Sequence, residues 1–263
     1  MSSWSEAVGH EAMLLRSKKH TNPLFDPERL RLLLDEQRAQ RALTDPDSVD
    51  LLTWNVFSTL DTHRDRTWLA YRLQALGGPG VTAPVRLSLW TGAHREPLLR
   101  PPAGYVAHVR EVAKAHGGDD AAVGDFTAPV EVPVRLESPG VLALIDTTIA
   151  TVPRGRGGRD RLVELVDVGV DAARRLGNTL TVGVVYSSGT AAAGELSARV
   201  NKLREPGALA NALPHRRTLP PITLRELSWQ QLIQTWHNEA GYLELGGEPV
   251  RRFVEFCRRR GLA

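Results

Sequence analysis

The residues best suited to chemistry lie in one stretch, Glu131-Val-Pro-Val-Arg-Leu-Glu-Ser-Pro-Gly-Val-Leu-Ala-Leu-Ile-Asp-Thr-Thr148. Glu131, Glu137 and Asp146 are hard oxygen donors of the kind that hold Mg²⁺. The stretch also reads as a hairpin. Ser138-Pro139-Gly140 divides two β-branched, apolar runs; Pro presets φ at the second turn position and Gly accepts positive φ at the third. Period-two alternation puts Glu131, Pro133, Arg135 and Glu137 on one face of the first strand.

The two strands, predicted at 130–137 and 141–150, need elements to position them. Ser3-x-x-Glu6 is a capping box and predicts a helix over 4–19. Asp26-Pro27 and Asp45-Pro46 supply caps and N1 prolines for helices over 27–43 and 46–61. Leu52, Val56 and Leu60, with Trp54 and Phe57, give the latter a broad apolar face. A helix over 64–76 stops at Gly77-Gly78-Pro79-Gly80, a strand follows at 85–90, and another helix covers 102–115. Residues 117–129 read as a loop, and Pro153-Arg-Gly-Arg-Gly-Gly-Arg159 as a flexible basic loop. A helix over 160–176 precedes Leu180–Tyr186, whose continuous apolar run predicts a central strand. Helices are predicted from the Ser187-Ser188-Gly189 cap through 203, over 222–238 and over 248–260. The expected organisation is an N-terminal helical extension (1–45), an α/β core (46–190) and a C-terminal helical region packed on it (191–263).

Composition excludes several classes. A length of 263 residues, 42% apolar, is ordinary for a globular chain with a sizeable core. The net charge is only +3, with Lys at 18, 19, 114 and 202 alone. Abundant Arg, Ala, Leu, Gly and Val fit a GC-rich genome, so this balance by itself does not imply a nucleic-acid binder. The single cysteine, Cys257, excludes an internal disulfide framework and a Cys-rich zinc site. There is no P-loop, no G-x-S-x-G elbow and no H-E-x-x-H spacing. No run reaches membrane-span length and Met1-Ser-Ser-Trp-Ser-Glu6 has no signal pattern, so a cytoplasmic protein without a membrane partner is expected.

Several segments together resemble one bacterial branch of the PD-(D/E)xK, or restriction-endonuclease-like, nuclease superfamily. Ser48-Val-Asp-Leu-Leu-Thr-Trp-Asn-Val-Phe57 is similar to its first core helix. Arg159-Asp-Arg-Leu-Val-Glu-Leu-Val-Asp-Val-Gly169 and Ala173-Arg-Arg-Leu-Gly177 are similar to the helix after its E-x-K strand. Leu213-Pro-His-Arg-Arg217 and Leu227-Ser-Trp-Gln-Gln231 resemble a region beyond the core, so the likeness runs over about 45–235. It implies an α-β-β-β-α-β core, a central mixed sheet flanked by helices, with extra helices at both ends. It also implies a catalytic set of a helix Glu, a strand Asp and an E-x-K triplet. In this chain those positions read Val49, Pro133, Asp146 and Thr148. One of the four groups, Asp146, remains.

The resemblance therefore implies a nuclease-like protein impaired in catalysis. It would bind DNA or RNA, or hold a protein partner, within a bacterial DNA-metabolism or anti-phage assembly. No cofactor is expected. The expected phosphate contacts are Arg154, Arg156, Arg159, Arg161, Arg216 and Arg217, since Gly-spaced arginines can follow a phosphate backbone. A second reading is an active, divergent Mg²⁺ nuclease built around Asp146 and Glu131, with Asp50, Asp125 or Glu137 as further ligands. Arg135, Arg154 or Arg159 would then replace the Lys, without its ability to act as a base. A third is a protein–protein subunit with no nucleic-acid role, which an exposed Trp229/Trp236 face would favour.

Overall fold

A computed structural model describes residues 22–115, 124–155, 158–241 and 247–263. The helix expected at 4–19 and Arg156 lie outside these residues. Where one helix was expected over 27–43 there are two, α1 (Pro27–Arg31) and α2 (Glu36–Thr44). Asp26 accepts from the Arg29 N–H and Asp35 from the Arg38 N–H, so each acid starts its own helix. α3 (Val49–Asp61) begins after Ser48, and every residue from Leu51 to Leu60 is buried. α4 (Arg66–Gly77) is capped by Asp65. β1 (Arg86–Thr91), α5 (Ala103–Ala115) and the short turn α6 (Gly124–Thr127) follow. The expected hairpin forms from β2 (Val132–Ser138) and β3 (Val141–Thr147), with Gly140 at φ +79° in the turn.

Next come α7 (Arg161–Leu176), β4 (Thr179–Tyr186), α8 (Ala191–Arg204) and the short α9 (Ala208–Ala212). The cap of α8 is Thr190, not the Ser187–Gly189 stretch. Residues 222–238, expected as one helix, divide into β5 (Ile222–Ser228) and α10 (Trp229–Asn238), which opens with a Ser228/Gln231 capping box. α11 (Gly247–Arg259) closes the chain.

The five strands form one mixed sheet in the order β1-β2-β3-β4-β5. β1, β2 and β3 pair antiparallel; β3, β4 and β5 pair parallel. The C-terminal region thus adds an edge strand to the sheet as well as helices on it. Alternation splits the apolar side chains into two cores. Val134, Leu136, Ala143 and Ile145 pack with α1, α3, α4, α10 and α11. Leu142, Leu144, Val182 and Val184 pack with α7 and α8. α7 lies close to the sheet because Gly169 has no side chain: a Cβ there would stand 2.8 Å from Leu180 and 2.9 Å from Leu144. Among the described residues no helix is long and apolar enough to cross a membrane.

Candidate functional site

Asp146 stands near the end of β3, on the face that meets α7. The Asp160 side chain caps α7 by accepting from the Val163 N–H, which aims the first turn of the helix at that strand end. Arg161 in this turn donates to Asp146 Oδ1 at 3.4 Å, to Glu164 Oε2 at 2.6 Å and to the Glu131 carbonyl at 2.5 Å. Asp146 is 4% exposed, and its Oδ2 has no hydrogen-bond partner among the described residues. Burial pushes the Asp146 carboxyl above its ordinary range; the charge and hydrogen bond of Arg161 offset only part of that push. Burial works to lower Arg161, but Asp146 and Glu164 outweigh it and hold the guanidinium charged. Thr148, expected at the lysine position of the resembled nucleases, donates its hydroxyl to the Thr151 carbonyl at 2.7 Å.

A second guanidinium closes the other side. Val49, expected at the helix-Glu position of the resembled nucleases, is apolar and half-buried, but its neighbour Asp50 is engaged. Arg38 of α2 grips Asp50 with two bonds, 3.1 and 2.9 Å, and holds Glu131 with a third N–H at 2.9 and 3.0 Å. Trp90 Nε1 adds a bond of 3.1 Å to Asp50 Oδ1, from a residue at the left-handed φ of +47°. Trp90 and Pro133 fall between the ladder pairs Leu89–Val134 and Thr91–Val132. Burial would lower Arg38, and its two carboxylate partners more than reverse that. Glu137, the remaining hairpin acid, pairs with the buried Arg135 at 2.5 Å. The side chain of Asp125 lies outside the described residues. Among the described residues no three His, Cys, Asp or Glu side chains come together to hold a metal ion.

The arginines expected on phosphate are mostly committed to the protein itself. Asp167, fully buried on α7, accepts from Arg159 at 2.7 Å, meets His215 Nε2 at 2.9 Å and accepts from Arg216 Nε at 2.5 Å. Arg216 also takes both oxygens of Asp171, at 3.1 and 3.0 Å. The Arg159 guanidinium lies over the Tyr105 ring at 3.8 Å. With Arg161 held by Asp146 and Glu164, the expectation of free phosphate contacts at Arg159, Arg161 and Arg216 is corrected. Buried carboxylates claimed them first, because an unpaired buried charge is far costlier than an exposed one. Arg154 and Arg217 are exposed. The loop before α7 is closed through its main chain, by an antiparallel β-bridge between Arg154 and Asp160 and a bond from the Gly155 N–H to the Arg159 carbonyl.

No protein-family model, curated protein or solved structure matches this chain. The chemistry must therefore be read from the groups themselves. Two guanidiniums each bond two carboxylates: Arg38 holds Asp50 and Glu131, and Arg161 holds Asp146 and Glu164. Neither Arg can deprotonate water near neutral pH. Reasoning from the sequence missed Arg38 and Asp167. Asp35, a cap three residues before Arg38, marks the start of α2 but not the partner 93 residues away. Asp167 had a signal: it interrupts the apolar run Leu165-Val-Asp-Val168 on a helix otherwise buried there.

Proposed function

We propose that this chain is a nuclease-like protein without cleavage activity, which binds nucleic acid through its phosphate backbone within a bacterial DNA-metabolism or anti-phage assembly. The observation that carries the first half is the pair Arg38 and Arg161. They supply built-in positive charge to Asp50, Glu131, Asp146 and Glu164, where a nuclease of the resembled family would place Mg²⁺. The finer fold reading, a restriction-endonuclease-like core, is supported by the order α3-β1-β2-β3-α7-β4 and by its mixed sheet. The hairpin that carries Asp146 sits at the centre of that order.

Binding through phosphate is supported by exposed arginines at Arg154, Arg174, Arg175 and Arg217. Trp229 and Trp236, which would have favoured a protein-docking face, are core residues. The Trp229 indole N–H bonds the Thr148 carbonyl at 2.7 Å, and that of Trp236 bonds Thr59 Oγ1 on α3 at 2.8 Å. Titration of the protein with labelled single- and double-stranded DNA and RNA across a salt series, without metal, tests this half. The reading expects binding that falls steeply with salt and does not require Mg²⁺. Absence of binding to all of them at low salt removes it.

A further inference from the structure

We propose that the groove bordered by Arg174, Arg216 and Arg217 binds the phosphodiester backbone of a nucleic acid; this rests on the nucleic-acid reading above and gives it a place. The groove has a volume of about 290 Å³ and also takes in Gly104, Asp171 and His215. It lies along α7, seven residues beyond the Glu164 turn, or about 10 Å at the rise of a helix. It is thus separate from the Asp146 cluster.

The local structure gives the groove a fixed wall and two exposed cations. Leu213 is fully buried, and the Arg216 N–H bonds its carbonyl at 2.9 Å, which closes a turn. That turn sends His215 and Arg216 inward to Asp167 and leaves Arg217 exposed, with no hydrogen bond or ion pair among the described residues. Arg174 is 67% exposed and 3.8 Å from Asp171, whose two oxygens already serve Arg216. Three guanidiniums therefore border one carboxylate, and the excess is positive. Asp171 itself stays ionised: burial would raise it, but the hydrogen bond and charge of Arg216, with Arg174 and Arg175, hold it below the usual carboxylate range. Opposite stands the first turn of α5, where main chain approaches closely; a Cβ on Gly104 would be 3.3 Å from the His215 carbonyl. The positive end of that helix adds to the same field.

The lining chooses among anions. It offers no large apolar side chain to seat a peptide residue. The nearby aromatic, Tyr105, is buried under Arg159 and cannot stack on a base. What remains is charge, which reads a repeating phosphate backbone without regard to sequence.

The test is fluorescence anisotropy of the full chain with labelled DNA and RNA oligonucleotides over a salt series. The Arg174→Ala/Arg217→Ala double variant is compared with Arg252→Ala, an exposed arginine on α11. Both groove side chains are exposed, so circular dichroism should be unchanged. The double variant is expected to bind roughly tenfold more weakly at low salt. It should also reduce the steepness of log affinity against log salt by about 2, with Arg252→Ala close to the parent. If the parent binds and the double variant binds equally well, the groove assignment falls while the nucleic-acid reading stands. If the parent binds no oligonucleotide, both fall. If inorganic phosphate binds as tightly as the oligonucleotides, the groove belongs to small phosphates and the backbone assignment is overturned.

Discussion

At Asp146 the carboxyl is enclosed by protein, and burial raises the cost of its ionised form beyond what Arg161 offsets. A carboxyl whose folded pKa is raised gives stability that is full below its unfolded pKa and is lost as pH rises through the folded value. The parent should therefore lose stability relative to Asp146→Asn as pH climbs above about 4, the ordinary carboxylate value. Urea unfolding at a series of pH values measures the gap; a gap that moves the other way would mean a carboxylate held low. Arg161 answers to two buried acids. Its replacement by Met should cost about 3–5 kcal/mol near neutral pH, since Asp146 and Glu164 are left without their cation. Arg38→Met should cost less, about 2 kcal/mol, because Asp50 and Glu131 keep more contact with water. The reverse ranking in denaturant unfolding would contradict the burial argument.

At the scale of elements, α7 carries both networks: its first turn faces Asp146 and its middle holds Asp167 and Asp171. Its distance from the sheet is set at Gly169. Alanine there would favour the helix by about 1 kcal/mol. Its methyl would meet Leu180 and Leu144 below 3 Å, a clash that costs about 1–3 kcal/mol. Gly169→Ala should therefore lower the melting temperature, and a rise would show that the helix can retreat freely. The hairpin, α3 and β4 were legible in the sequence because their signals are local: a Pro-Gly turn, an apolar helix and a continuous apolar run. β5 was not. Its Leu-Arg-Glu-Leu centre uses residue types common in helices, its Arg225 and Glu226 are only half-buried, and it runs straight into α10. The site was legible only in part. Asp146 could be placed by its strand, and Glu131 and Asp50 by proximity. Which arginine each acid would take could not be read, because Arg38–Glu131 and Asp167–Arg216 join residues 93 and 49 positions apart.

Among the described residues, several arginines have their charge taken up by buried or half-buried carboxylates. Arg38, Arg135, Arg159, Arg161 and Arg216 all hold carboxylates in partly or fully buried pairs. The net charge of +3 therefore leaves a modest external field, and affinity for a polyanion should be confined to low or moderate salt. We propose that Arg38 and Arg161 stand where a catalytic cation would otherwise sit. The most direct measurement is incubation of the purified protein with labelled single- and double-stranded DNA and RNA, with Mg²⁺ or Mn²⁺, beside an Asp146→Ala control. The account predicts intact substrates with both proteins. Metal-dependent cleavage by the parent that is lost in the control would contradict it and establish a working metal site at Asp146.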